Sequence, residues 1–470
     1  MRPTSQYIAS LPEAEHSLSP SQLKQGVAQV LYQNVDAIRA LLYESAPILD
    51  SWAKAQVKAQ QLTNPKGAGR KPANPVLMFL ILLVRSFLGL SNTKLARVLV
   101  SDLSVQQFVS EQLDWLAAQQ RMERLEQLHF PKLSTIRKYI ELFAHDGILA
   151  ECKAKATKFF VTYGAAFLEP PQKDEEHYKP EQVGLIDASF ITVPVTHLPK
   201  HLYAAVKAGH VEEIESLWPR SVSCQKNLDA RWAKKRNERF FGFKLHTLTD
   251  FTTKMILADI FTPANEHDVT KLIALSQLAP EPMFKLYADS GYCGDSYEEA
   301  LSQQGFNAVF IKRAYGKHSL TIEDVAENNK RSHMRVRVEH AYAAMKHNLS
   351  FKPTSKSTTC IQGECDLAVM AYNARRYQAI KDGRTVVPKT YKGETNKAVL
   401  VSGQLEVAKA AKAGHFQLTP PALFALSKLV HWLIYNSSPW YWLRLCTSKC
   451  VCRFRGAFSK SVCRFLADPL

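Results

Sequence analysis

Apolar residues recur at helical spacing through the first third of the chain and at strand spacing through the middle. VLYQNVDAIRALLYESAPIL, starting at Val30, has them three and four apart, which predicts a packing helix with no visible chemistry. PVLMFLILLVRSFLGL, starting at Pro75, is apolar on every side and predicts a buried helix. SNTKLARVLVSDLSVQQFV follows, with Ser91 or Asn92 as its cap. HFPKLSTIRKYIELF, starting at His129, predicts a further helix capped by Ser134 or Thr135, with Arg137 and Lys138 in its first turns. It suits the reading helix of a helix-turn-helix and equally an amphipathic core helix.

The Pro-rich, charged stretch LEPPQKDEEHYKPEQ, starting at Leu168, marks a boundary. Beyond it QVGLIDASFITVPV, FFGFKLH, KMILADIFTP, MFKLYADSGY and NAVFIKR read as strands. Helices are expected over HDVTKLIALSQL, GYCGDSYEEALSQQG, ENNKRSHMRVRVEHAYAAMK and ECDLAVMAYNARRYQAI. Asn265, with Asp268 three residues on, approaches a capping box for the first of these. The order is three strands, helix, strand, helix, strand, helix. The chain thus divides into a helical segment 1–63, a helical domain 64–165, an α/β domain 180–380 and a tail 381–470.

Charge narrows the class. Sixty Lys and Arg against 43 Asp and Glu give a net +17 and a pI near 9.3, which favours a polyanionic partner, nucleic acid before an anionic membrane surface. The first residues, MRPTSQYIASLPEAEHSLSP, lack an apolar signal core, and the longest clean apolar run, Val76 to Val84, is far short of the roughly 20 residues of a span. Nine scattered cysteines suit a reduced, cytoplasmic protein better than a disulfide framework. Four of them (Cys446, Cys450, Cys452, Cys463) lie in the basic, aromatic tail without Cys-x-x-Cys pairs, so zinc is disfavoured there. A membrane-surface role, a partner-binding role and no evolved role all stay open for that tail.

The candidate chemistry is carboxylate. Asp187 and Asp289 each sit at a strand that is otherwise apolar, where an ionised group needs a partner: a loop to cap or a cation to hold. Downstream, in RSHMRVRVEHAYAAMK, the residues Arg335, Glu339, Tyr342 and Lys346 fall on one helical stripe, a lone carboxylate between two cations. Alone such a stripe is an ordinary solvated ion-pair face. Two carboxylate strands followed by this helix point to a site for a hard divalent cation.

Asp187, Asp289 and Glu339, with Arg335 and Lys346 about the glutamate, resemble the insertion-sequence DDE transposases, in the branch marked by a Tyr-Arg-Glu-Lys signature. Arg335, Glu339 and Lys346 keep its spacing, and Ser332 stands at the tyrosine position. The interval from Asp289 to Glu339 is only 50 residues, which leaves no room for the large inserted domain of some relatives. The resemblance implies an α/β, ribonuclease H-like catalytic domain, a mixed five-stranded sheet with flanking helices, preceded by an all-α N-terminal domain. It implies two Mg²⁺ ions, with Mn²⁺ as a substitute, on Asp187, Asp289 and Glu339. It further implies metal-dependent cleavage of double-stranded DNA at terminal inverted repeats and joining to target DNA, by a homo-oligomer with a dimer as default, in the bacterial cytoplasm at the nucleoid and without a membrane. Arg335 and Lys346 are expected on phosphates. The basic-aromatic stretch with Arg231, Lys234, Lys235 and Lys244, and Arg337 beside the triad, is expected on DNA as well. Arg70 and Lys71 in the turn-rich entry NPKGAGRKPAN, with Arg137 and Lys138, are candidate N-terminal contacts. Two other readings stay open: a DNA-binding repressor derived from a transposase, and a nuclease on the same fold.

Overall fold

The computed structural model describes residues 26–63, 72–165 and 183–384, apart from short stretches within 196–224 and at 236, 280–284 and 315–318. Arg70, Lys71, the Pro-rich boundary and the tail beyond 384 lie outside the described residues.

After a short helical stretch over Gly26–Ala28 and Gln29–Tyr32 come six longer helices: α1 (Val35–Thr63), α2 (Pro75–Phe87), α3 (Asn92–Ser101), α4 (Leu103–Ala118), α5 (Leu133–His145) and α6 (Ile148–Ala165). Asn74 caps α2 by accepting from Val76 N at 2.9 Å and Leu77 N at 3.1 Å, and Pro75 takes the first position, where its missing N–H costs nothing. Every residue from Val76 to Arg85 is buried, so the all-round apolarity of α2 serves packing. No single described helix is long and apolar enough to cross a membrane. Ser91 caps α3, as expected. The expected cap of α5 is corrected: Lys132 is the N-cap residue without a side-chain bond, and Ser134 and Thr135 fall inside the first turn. What fixes α5 is its apolar face. Tyr139 and Phe143 meet Trp52 of α1 edge-on, with ring centroids 6.2 and 5.0 Å away, and Tyr139 donates to the carbonyl of Ala73 at 2.6 Å. Arg137 and Lys138 are left exposed.

The sheet follows: β1 (Val183–Thr192), β2 (Arg231–Lys235), β3 (Glu238–Asp250), β4 (Ile256–Pro263), β5 (Lys285–Ala288) and β6 (Asn307–Phe310). Its order is β2-β3-β1-β5-β6, with β4 also paired to β3. β1, β2 and β4 each run antiparallel to β3, while β1–β5 and β5–β6 are parallel. This is the mixed sheet expected of a ribonuclease H-like domain, with one strand more than foreseen. Arg231–Lys235, not among the strands expected from sequence, pairs with the start of β3. Gly242 lets that long strand pass β1: at φ +145, a Cβ there would lie 2.3 Å from the carbonyl oxygen of Ile191.

Short helices α7 (Lys200–Lys207), α8 (Leu272–Gln277) and α9 (Asp295–Gln303) flank the sheet. Then come α10 (Ile322–Ala343), a π-helical turn at Ala344–Asn348, and α11 (Thr358–Lys381). α11 is buried almost all round, and one apolar core runs from α1 and α2 through α11 to Phe243 and Ile256 of the sheet. Its buried acids and Asn373 are each met. Glu364 pairs with Arg85 of α2 at 2.6 Å, and Asn373 accepts from Ile256 N of β4 at 2.9 Å. Asp366 shares Lys153 of α6 with Asp259 of β4, both at 2.6 Å.

Candidate active site

Asp187 lies on β1, between β3 and β5. β5 pairs with β1 in parallel, Val183 beside Lys285 through Leu185 beside Tyr287. Carried two residues further, that register sets Asp187 beside Asp289, the residue just after β5. Each aspartate uses one oxygen locally. Asp187 Oδ1 accepts from Ala188 N at 2.8 Å, and Asp289 Oδ1 accepts from Gly291 N at 2.8 Å, capping the turn Ser290–Tyr292. Of the two, only Asp289 fills the capping role weighed from sequence, and each carboxylate keeps its second oxygen outside these local bonds.

Helix α10 packs over this face of β1. Thr321 and Asp324 form a capping box at its start, which fixes where the helix begins. The stripe read from the sequence is the contact stripe. Arg335 reaches Asp187 Oδ2 at 3.2 Å and Glu339 Oε1 at 3.0 Å, so one guanidinium is shared by two of the three carboxylates. Tyr342, one turn on, donates its hydroxyl to the carbonyl of Asp187 at 2.8 Å, with that of Leu245 at 3.2 Å, and stands 2.8 Å from Thr247 Oγ1. Lys346, in the π turn, donates to Ser189 Oγ at 2.6 Å. Ser332, half-buried, lies three residues before Arg335 on the same helix.

Burial pushes the Asp187 carboxyl up to about 6, and the neighbouring Asp289 charge adds to the rise, while Ala188 N–H, Arg335 and Lys235 oppose it. Burial and the Lys235 charge also pull Lys346 down. The end of β2 thus lies within electrostatic reach of both.

The other expected DNA contacts divide. Lys234 and Lys235 are exposed on β2. Arg231 turns inward to the carbonyls of Leu228 and Ala230. Arg337 lies 4.1 Å over the ring of Phe251, off the carboxylate stripe. Lys244 is a correction: it is buried, its ammonium bound to Glu266 O at 2.7 Å and Asp268 Oδ1 at 2.8 Å. The same contact corrects the capping box drawn at Asn265 and Asp268. His267 is the N-cap of a 3₁₀ turn without a side-chain cap, and Asp268 is engaged by Lys244. Sequence reading missed Ser189 and Thr247 as anchors for α10; the period-2 signal was present for Ser189, two residues after Asp187.

Among the described residues no three His, Cys, Asp or Glu side chains already converge as a metal cluster. The donor set nevertheless fits a hard cation. It offers two aspartates in register and a glutamate, and Arg335 stands in for a cation between Asp187 and Glu339.

Residues 178–406 match the family model Transposase DDE domain, and residues 29–118 match Transposase domain (DUF772). Both matched models are transposase domains. The first match spans Asp187, Asp289 and Glu339, and the second spans α1 to α4. Together they support a transposase function and place the reaction in the nucleotidyl-transfer class. No solved structure matches the chain.

Proposed function

We propose that this protein is a DDE transposase of the Tyr-Arg-Glu-Lys branch, which binds the terminal inverted repeats of its insertion sequence, cleaves a DNA strand there and joins the freed end to target DNA. The observation that carries the reading is Arg335 held between Asp187 of β1 and Glu339 of α10, with Asp289 just after the neighbouring strand β5, inside the matched transposase domain. Asp187, Asp289 and Glu339 would hold Mg²⁺, or Mn²⁺ in its place. Two such ions would supply activation of the attacking oxygen and stabilisation of the leaving one.

The chain's own residues do the rest. Arg335 and Lys346 hold phosphates on either side of Glu339, where negative charge grows in phosphoryl transfer. Lys234 and Lys235 extend that cationic surface along β2. Arg137 and Lys138, exposed on α5, with Arg70 and Lys71, contact the element's ends. The working assembly is a homo-oligomer, a dimer by default, in the cytoplasm at the nucleoid.

Strand joining separates this reading from a nuclease of the same fold. A pre-cleaved end duplex incubated with supercoiled plasmid and Mg²⁺ is expected to become covalently joined to it, and random-sequence competitor leaves the reaction intact. Hydrolysis without joined product, equally inhibited by random DNA, would assign a nuclease instead.

A further inference from the structure

Outside the carboxylate site, a cleft of about 410 Å³ opens between the α2–α3 turn and the chain that leaves the π turn. One wall runs from Arg85 to Lys94 and the other from Leu349 to Thr354, with Pro194 at the end of β1 between them. The walls are fixed closely. Gly89 has φ +60, and a Cβ there would lie 2.6 Å from the carbonyl oxygen of Leu349, so only glycine lets this turn close on the second wall.

The charge of the cleft is cationic. Its one acid, Glu364, is saturated: it accepts from Arg85 at 2.6 Å, Thr354 Oγ1 at 2.8 Å, Thr354 N at 2.7 Å and Ser355 N at 3.2 Å. Arg85 is buried, and its Nε has no hydrogen-bond partner. Lys94 and Lys352 line the cleft, are exposed, and have no ion-pair partner among the described residues. Lys94 also sits in the first turn of α3, where the helix dipole adds positive potential.

The position of the cleft names its ligand. Ser189 and Lys346, bonded to each other at 2.6 Å, lie five residues before Pro194 and three before Leu349 on the two segments that enter the cleft. Asp187, Lys346 and the cleft therefore follow one another along β1. At about 3.3 Å per strand residue the cleft is roughly 20 Å from Asp187, which corresponds to about six base pairs of duplex. We propose that Lys94 and Lys352 grip the phosphate backbone of the DNA duplex about six base pairs from the phosphate that Asp187 and Glu339 address, so that the helical region and the triad helix hold one continuous DNA. The proposal rests on the transposase reading given above and goes beyond it in assigning the duplex path.

The test is the salt dependence of duplex binding by the full chain, followed by fluorescence anisotropy, for wild type, Lys94→Gln, Lys352→Gln and the double variant. Each phosphate contact contributes about 0.9 to the slope of log affinity on log salt. The double variant is expected to lose about 1.8 from the wild-type slope and each single variant about half that. Between 50 and 200 mM salt the wild type then weakens roughly 12-fold more than the double variant. Both lysines are exposed, so circular dichroism is expected to be unchanged. A wild type that binds no duplex overturns the transposase reading and this proposal with it. A wild type that binds, beside a double variant of identical slope, overturns the cleft alone.

Discussion

Arg335 Nη1 stands 3.2 Å from Asp187 Oδ2, and the other arm of the same guanidinium stands 3.0 Å from Glu339. A cation is thus already seated where the transposase reading puts divalent metal. The two cations compete, because carboxylate lone pairs given to a guanidinium are not free for a metal. Arg335→Ala is expected to tighten Mn²⁺ binding several-fold at pH 8 by isothermal titration calorimetry, while strand cleavage falls at least tenfold through loss of a phosphate contact. Unchanged metal affinity would show that Arg335 and the metal occupy separate places.

Asp187 gives a pH signature. Burial raises its folded pKa to about 6, above the roughly 3.9 of an unfolded aspartate. The folded state therefore binds more protons between these values, and this group's contribution to stability declines as pH rises from about 4 to about 6. Metal needs the ionised form, so Mn²⁺ affinity is expected to fall by up to tenfold per pH unit below about 6 and to level off above it. Asp187→Asn removes the buried charge. Its melting temperature relative to wild type is expected to be higher at pH 8 than at pH 4, by differential scanning fluorimetry without metal.

Tyr342 ties the triad helix to the strand that carries Asp187. Its hydroxyl meets the Asp187 carbonyl and Thr247 Oγ1, both at 2.8 Å, in a buried position. Tyr342→Phe removes these buried hydrogen bonds and is expected to cost about 1–3 kcal/mol by urea unfolding. Because α10 also carries Glu339, cleavage is expected to slow at least tenfold with duplex affinity unchanged. An equal loss of affinity and rate would make the role purely structural.

How far the sequence could be read shows in these residues. Asp187 and Asp289 stood out because ionised groups are rare on apolar strands, and Arg335, Glu339 and Lys346 because helical periodicity put them on one stripe; the structure packs that stripe against β1. Tyr342 lay on the stripe unassigned, since its bonds go to backbone and to Thr247, which no periodicity announces. RWAKK could not be seen as a strand: its charges mask a period-2 pattern, and its pairing comes from β3. Lys244 looked like its basic neighbours, and only the fold brings Asp268 and Glu266 to it. Ser134 resembled a cap, but helix α5 starts one residue earlier, where packing sets its end.

Lys153 offers a test of the packing between helices and sheet. It is buried between Asp259 of β4 and Asp366 of α11, and burial raises Asp366 to about 6 despite the lysine. Lys153→Met strands both carboxylates and is expected to destabilise by about 3–5 kcal/mol at pH 8. The loss is expected to shrink at pH 5, where Asp366 takes up a proton. Urea titrations at the two pH values check it, and an equal loss at both would remove the carboxylates from the explanation.

The most direct measurement is Mg²⁺-dependent strand cleavage of DNA carrying the gene's own flanking inverted ends, with Glu339→Gln beside wild type. The account predicts nicking at the ends by wild type, and its loss in the variant with duplex binding retained. Binding without cleavage by wild type in both Mg²⁺ and Mn²⁺, or full cleavage by Glu339→Gln, would contradict it.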